Sequence, residues 1–170
     1  MIVASYVGRP KTQDDYNNNM FLLAQYYNAK IGFENDRGDV IGFAKRFRKL
    51  HFLQEEFEML DKKELRSRTV KRNYGMHMTE ARKRQGELYI RDWLQTPRGK
   101  NIDGKQVYNV HKIYDLALLQ ELIKFNHKGN FDRVMSLMIG MYHTQELYNA
   151  EVSEVLGDRS VDEWFDNQYQ

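Results

Sequence analysis

The first half of the chain is organised around one short stretch, Lys30-Ile31-Gly32-Phe33-Glu34-Asn35-Asp36-Arg37-Gly38-Asp39. Residues 30–34 are compact and mostly apolar and end in a carboxylate, which predicts a strand with Glu34 at its C-terminal end. The next four residues have the composition of a turn, and Asp39 has the position of an N-cap for a following helix. The stretch therefore predicts strand, turn and helix in that order.

A strand and a helix are also predicted before this stretch. Residues 2–8 favour a short β-strand that Arg9-Pro10 ends, because proline lacks the N–H that a ladder needs. A helix follows, with Thr12 as its N-cap and Asn28 as its end, and its apolar face repeats at Tyr16, Met20, Leu23, Ala24 and Tyr27. Strand, helix, strand and helix in succession indicate a βαβ unit, whose functional groups gather beyond the carboxyl ends of the parallel strands.

The second half of the chain is predicted to be mostly helical. Extended pieces are expected near residues 50–53 and 74–78, and a helix is expected from Thr79 to about residue 94. A loop or tight hairpin is predicted at residues 96–104. Two further helices are predicted at residues 113–125 and 131–142, with a break at 127–130. The predicted fold class is therefore α/β.

Composition places the chain among globular domains and excludes several chemistries. Its 170 residues are 41% apolar and 13% aromatic, which suits one folded domain with a sizeable core. It contains no cysteine, which excludes thiol catalysis and Cys-ligated zinc and favours a reducing cytoplasm. Its longest apolar runs are only a few residues, so neither a membrane span nor a secretion signal is expected.

Charge is distributed unevenly along the chain. Residues 40–105 contain 17 Lys and Arg against 9 Asp and Glu, whereas residues 146–170 contain seven acids and a single base, Arg159. The basic runs lack the interleaved acids of an ordinary solvated helix face, so they favour a polyanionic partner such as nucleic acid. The predicted phosphate-binding residues are Arg46, Arg48, Lys49, Arg66, Arg68, Lys71 and Arg72.

The sequence lacks the short motifs of several common enzyme classes. Neither GxxxxGK[ST] nor GxGxxG occurs, so it has no glycine-rich phosphate loop. The five histidines show no HExxH arrangement, which gives a zinc hydrolase little support, and no GxSxG elbow marks a nucleophilic serine. Carboxylates remain as the candidates for chemistry.

Two carboxylates stand out because their neighbours are apolar. Glu34 ends an apolar strand, where a metal ion would offset the cost of placing an acid against a core, although a strand-end glutamate can equally face solvent. Asp132 stands in the first turn of an otherwise apolar helix, where it can serve as a ligand or simply gain from the helix macrodipole. Spacing along the chain does not decide between these alternatives.

Six blocks of the sequence carry a resemblance to a known family. They are Tyr6-Val7-Gly8-Arg9-Pro10, Tyr26-Tyr27-Asn28-Ala29, Glu34-Asn35-Asp36-Arg37-Gly38-Asp39, Tyr74-Gly75-Met76, Asp115-Leu116-Ala117-Leu118-Leu119-Gln120-Glu121-Leu122-Ile123-Lys124-Phe125 and Gly129-Asn130-Phe131-Asp132-Arg133-Val134-Met135. Together they resemble the C-terminal nuclease domain of the large terminase subunit of tailed phages, in which an ELI helix precedes an Asp-bearing helix. The resemblance covers most of residues 2–143.

The resemblance implies a ribonuclease-H-like fold, a mixed sheet flanked by helices, and a metal-dependent endonuclease that cuts concatemeric double-stranded DNA during genome packaging. It implies Mg²⁺ or Mn²⁺ as the cofactor. Glu34 matches the family's acid at the end of the fourth strand, and Asp132 matches the acid at the start of the last helix. Two divalent ions about 4 Å apart suit such hydrolysis when several carboxylates bind them. Duplex DNA and a portal or small terminase subunit are the implied partners, in the cytoplasm of a bacterial host.

The chain departs from the family at its start. The family's first catalytic aspartate lies on a strand upstream of the matched part, and the ATPase domain has no counterpart here. We therefore expect a sheet that is incomplete at its N-terminal side, with residues 1–147 as a partial nuclease domain and residues 148–170 as an acidic tail. An exposed sheet edge would favour a homo-oligomer or a partner that supplies the missing strands. The alternative is a ribonuclease-H-like module that binds DNA or a packaging protein without cleaving it.

Overall fold

The computed structural model describes residues 2–36, 38–57, 74–126 and 129–166, with side chains up to residue 152. Within these residues the chain is a mixed α/β protein, with five α-helices, two short 3-10 helices and one two-stranded antiparallel sheet. The predicted α/β class is confirmed at this coarse level.

Two helices form the first half of the described structure, and both begin where the sequence predicts. Helix α1 spans Gln13–Tyr27; the Thr12 hydroxyl accepts an N–H of its first turn at 3.1 Å, and Asn28 ends it at φ 48°. Helix α2 spans Val40–Arg46, and the Asp39 carboxylate accepts an N–H of its first turn at 3.1 Å. The predicted caps are confirmed, because short polar side chains satisfy the N–H groups that a helix start leaves open.

The predicted strand at residues 2–8 is wrong. These residues form no regular secondary structure and most of them are exposed, with Val3 and Val7 each 63% accessible. Their β-branched side chains favour a strand only where a neighbouring strand pairs with them and packs against them, and no described segment does so.

The other predicted strands of the first half are reduced to isolated bridges. Ile31 pairs with Leu53 and Glu34 pairs with Met76, both in parallel. The strand predicted at residues 50–53 is instead a 3-10 helix, Leu50–Phe52, that runs into the bridge at Leu53. The predicted βαβ unit is therefore not formed as a continuous parallel sheet by the described residues, because each pairing ends after a single residue.

A helix and a hairpin follow. Helix α3 spans Glu80–Leu94, close to the predicted bounds, and Thr79 is its N-cap. Strands β1 (Pro97–Lys100) and β2 (Gln106–Tyr108) pair antiparallel, which confirms a hairpin in this part of the chain. A second 3-10 helix, Asn109–Lys112, connects the hairpin to the last two helices.

The last two helices close the described structure. Helix α4 spans Leu116–Lys124 and helix α5 spans Asp132–Asp166. Helix α5 has 35 residues and extends far beyond the predicted helix at 131–142, so residues 148–166 of the acidic tail continue the same helix. Among the helices of the described ranges, none combines the length and the apolar composition that crossing a bilayer requires, α5 included.

Asp115 caps helix α4. Its carboxylate accepts the backbone N–H groups of Ala117 and Leu118 at 3.0 and 3.1 Å, so it is the N-cap of this helix. The Leu118 N–H and, after it, the Ser5 hydroxyl lower the pKa of Asp115 below its usual value. Residues 2–8 also contact α1 although they form no strand, because the Asn19 side-chain amide donates to the Tyr6 hydroxyl at 3.0 Å.

Two clusters of buried side chains hold the described structure together. The first cluster lies between α1, α2 and the extended segments and contains Phe21, Ala24, Ile31, Val40, Phe43, Ala44 and Leu53. The second cluster is built around α3 and α5 and contains Phe57, Met76, Met78, Ile90, Ile113, Leu118, Val134, Leu137, Met138, Ile139, Met141 and Tyr142. Helix α3 packs against α5 at Gly86, where an added Cβ would collide with the Met138 side chain.

Candidate functional site

Glu34 lies on a backbone segment that is fixed on both sides of it. The Met76 N–H donates to the Phe33 carbonyl at 2.8 Å, and the Asn35 N–H donates to the Met76 carbonyl at 3.0 Å. The Glu34 side chain is partly buried, and no residue of the described ranges forms a hydrogen bond or an ion pair with its carboxylate. A partly buried acid without such a partner retains a large part of its capacity to bind a cation.

Asp132 is the first residue of α5, but another residue caps that helix. The Glu121 carboxylate accepts hydrogen bonds from the backbone N–H groups of Arg133 and Val134 at 3.0 and 3.4 Å. It also accepts a hydrogen bond from the Arg133 guanidinium, through Nη1, at 2.8 Å. Because Glu121 accepts hydrogen bonds from the free N–H groups at the start of α5, the Asp132 carboxylate is not needed as a cap. The negative charge of Asp132 is still stabilised by the helix macrodipole. Asp132 is exposed.

Glu34 and Asp132 line the same cleft. The cleft has a volume of about 530 Å³ and lies where the first cluster faces the N-terminal part of α5. The fold thus brings together two acids that belong to opposite halves of the sequence. The described residues that line it are Tyr16, Met20, Gly32, Phe33, Glu34, Val40, Lys83, Phe125, Asn126, Gly129, Asn130, Phe131, Asp132, Met135, Ser136 and Ile139.

Gly32 allows the Glu34 segment to lie against α5. A Cβ added at Gly32 would come within 2.9 Å of the Ile139 side-chain methyl Cγ2, which is closer than side-chain carbons pack. A larger residue at this position would push the extended segment away from the helix. The small size of Gly32 therefore helps to set the separation between Glu34 and Asp132.

The cleft contains two carboxylates that could serve as ligands of a hard divalent cation. Mg²⁺ is commonly held by one or two carboxylates, with water and phosphate oxygens completing its octahedron. The described residues contain no group of three or more His, Asp or Glu side chains placed to hold a metal ion. Glu34 and Asp132 supply carboxylates, the ligand type that Mg²⁺ and Mn²⁺ take, but the described residues do not complete the two-metal centre that the sequence resemblance implies.

Three of the predicted phosphate-binding residues lie in and after α2, and two of them have structural contacts. Arg46 pairs with Asp14 at 2.8 Å, and the Lys49 ammonium lies 5.5 Å from the centre of the Phe21 ring. Arg48 is exposed and has φ 56°, in the left-handed region that glycine favours after a helix. The remaining four, Arg66, Arg68, Lys71 and Arg72, lie outside the described residues.

Two residues of the site were not singled out from the sequence. Lys83 lines the cleft from α3, and Glu121 caps α5 from α4. In the sequence, local features are enough to account for both residues. Lys83 can pair with Glu80 three residues earlier, and Glu121 lies on an amphipathic helix. Neither role is visible in the sequence, because each depends on which elements come together in the fold.

No protein-family model matches the chain, and no curated protein or solved structure matches it either.

Proposed function

We propose that this chain is a nuclease-like domain of the terminase type, with a ribonuclease-H-like arrangement, that acts on the phosphodiester backbone of double-stranded DNA. The observation that carries the proposal is that Glu34 and Asp132 line one cleft. These are the two acids that the sequence resemblance selects. Genome packaging in a bacterial host, with a portal or a small terminase subunit as a partner, is the biological setting that this proposal implies.

The two acids have different functions in the proposed site. Glu34 is fixed by backbone hydrogen bonds on both sides and is partly buried, so it presents its carboxylate with little loss of freedom on binding. Asp132 is exposed and reaches the cleft from the start of a long helix. A divalent cation, when bound, supplies the positive charge that a phosphodiester requires before water can attack it.

Mn²⁺ binding provides the first test. Calorimetric titration of the parent should detect a site that Glu34→Gln and Asp132→Asn each weaken by at least about tenfold, which is the effect of removing one charged ligand. The exposed hairpin acid Asp103 provides the control, since it does not line the cleft, and Asp103→Asn should bind as the parent does.

A double variant distinguishes one shared ion from two separate sites. If both acids bind the same ion, the double variant loses much less than the sum of the two single losses, because either change already disrupts the site. Additive losses would indicate that the acids act independently and would contradict the proposal. Nicking of a supercoiled plasmid in Mn²⁺, abolished by either single variant, would establish the endonuclease activity itself.

The absence of a third metal-binding side chain near the two acids within the described ranges favours a second candidate function, a module that binds duplex DNA without cleaving it. For such a module, a plot of log K for DNA binding against log salt concentration should have a slope of about −0.9 for each phosphate contact. Duplex binding by the parent, together with undetectable nicking in Mn²⁺ and Mg²⁺, would favour this candidate over the nuclease.

A further inference from the structure

We propose that Lys83 is the phosphate-binding residue of the cleft, and that it takes the place of a second metal ion opposite Glu34 and Asp132. The inference rests on the proposed function and adds to it the residue that holds the substrate. Lys83 is the one cationic side chain among the described residues that line the cleft. It reaches the cleft from α3, whereas the two acids reach it from the extended segment and from α5.

The charges of the cleft support a site for one cation and one phosphate. Among the described residues that line the cleft, Glu34 and Asp132 contribute two negative charges and Lys83 contributes one positive charge, so together they carry a net charge of −1, which repels a phosphodiester. One divalent cation changes this to +1, which matches the single negative charge of one phosphodiester group. Two divalent cations would leave +3, and no other acid is among the described residues that line the cleft to offset that excess.

Lys83 is not paired with either acid of the cleft. Its ammonium forms an ion pair with Glu80 at 3.0 Å and forms none with Glu34 or Asp132. The pair with Glu80 is a weak one, because the Glu80 side chain is 63% exposed and water competes for it. Lys83 can therefore exchange Glu80 for a phosphate oxygen without losing a strong contact.

The backbone around Lys83 is held rigidly, as positioning a phosphate requires. The hydroxyl of Tyr142, a buried residue of α5, donates to the Arg82 carbonyl at 2.9 Å, next to Lys83 in the chain. The guanidinium of Arg82 donates to the His77 carbonyl at 2.7 Å and is itself buried. Helix α3 is thereby fixed to the helix that bears Asp132, so cation and acid are placed by one packed unit.

Lys83→Gln should change two affinities in opposite directions. Removing a positive charge from the cleft should strengthen Mn²⁺ binding about threefold to tenfold, because repulsion between the ammonium and the ion is lost. Affinity for a short DNA duplex in Ca²⁺, added to prevent cleavage, should fall by a similar factor. The slope of log K against log salt should become shallower by about 0.9, the contribution of one phosphate contact. Lys83→Arg should restore duplex binding, because it restores the charge.

The neighbouring exposed residue provides a matched control. Arg84 lies on the same helix and does not line the cleft, so Arg84→Gln should leave Mn²⁺ affinity unchanged. If Lys83→Gln leaves both Mn²⁺ binding and the salt slope at the values of Arg84→Gln, Lys83 is only the partner of Glu80 and the inference is overturned, while the acids and the proposed function stand. If the parent binds no Mn²⁺ through Glu34 and Asp132, the proposed function fails and this inference fails with it.

Discussion

The two acids of the cleft are supported in opposite ways. Asp132 begins a helix whose buried face belongs to the larger second cluster, so many side-chain contacts determine its position. Glu34 lies on a segment that is joined to its neighbours by single bridges and that rests on the smaller first cluster. The site is therefore most vulnerable on the Glu34 side, because a few hydrogen bonds and one close contact at Gly32 set the position of that acid.

The largest effect is expected from removing the central side chain of the first cluster. Phe21 is fully buried and stacks on Phe43 with ring centres 5.4 Å apart. Phe21→Ala should lower the free energy of unfolding by about 3–5 kcal/mol, as urea unfolding would measure. It should also weaken Mn²⁺ binding, since the support of Glu34 is lost. Leu22→Ala is the matched control: Leu22 is 52% exposed, so the change should stay within about 0.5 kcal/mol. Equal unfolding midpoints for the two variants would contradict the existence of the first cluster.

A smaller effect is expected at Gly32, where the Glu34 segment packs against α5. Gly32→Val should cost about 1–3 kcal/mol, because its side chain would overlap Ile139 and displace the Glu34 segment from α5. Gly140 is the control glycine, since a Cβ added there meets no atom within 4 Å. Gly140→Ala should instead stabilise the protein by about 0.5–1 kcal/mol, because alanine favours a helix. Unchanged Mn²⁺ affinity in Gly32→Val would show that the contact does not set the geometry of the site.

The cap of α4 provides a prediction on pH. Asp115→Ala should cost about 0.5–2 kcal/mol at neutral pH through the loss of the N-cap. The folded-state pKa of Asp115 is lowered, so its stabilising contribution is complete above the unfolded-state pKa of about 3.9 and is lost as the pH falls through the folded-state value. The difference in stability between the parent and Asp115→Asn should therefore shrink below about pH 4 in thermal unfolding. A difference that grows on acidification would contradict the assigned hydrogen bonds.

The smallest effect is expected at the end of α2. The Lys49 N–H bonds to the Ala44 carbonyl at 2.7 Å and places Arg48 in the left-handed conformation. Arg48→Gly should raise the free energy of unfolding by up to about 1 kcal/mol, because glycine adopts this conformation without strain. If Arg48 also contacts a phosphate, the same change should make the salt slope of duplex binding shallower by about 0.9. Asn28→Gly is the control, since asparagine already tolerates a positive φ and the gain should be smaller.

The elements that the sequence predicted correctly share one property, which is that their determinants are local. Thr12, Asp39 and Thr79 cap helices by bonding to N–H groups three residues ahead, and Asn28 ends a helix through its own backbone conformation. Such interactions need no distant partner, so composition and spacing are sufficient to find them. The strand at residues 2–8 failed for the opposite reason, because a strand is stable only when another segment pairs with it.

The candidate site divides in the same way. The sequence by itself determined that Glu34 and Asp132 are acids among apolar neighbours, that the caps begin the helices, and that the chain is charged unevenly. Only the tertiary structure decided that the two acids line one cleft, that Glu121 rather than Asp132 caps α5, and that Lys83 stands among them. The physical reason is the distance along the chain between the residues that interact. Caps and turns are closed within about four residues, whereas a cleft is formed by the packing of side chains that lie far apart in the chain and whose meeting depends on the whole core.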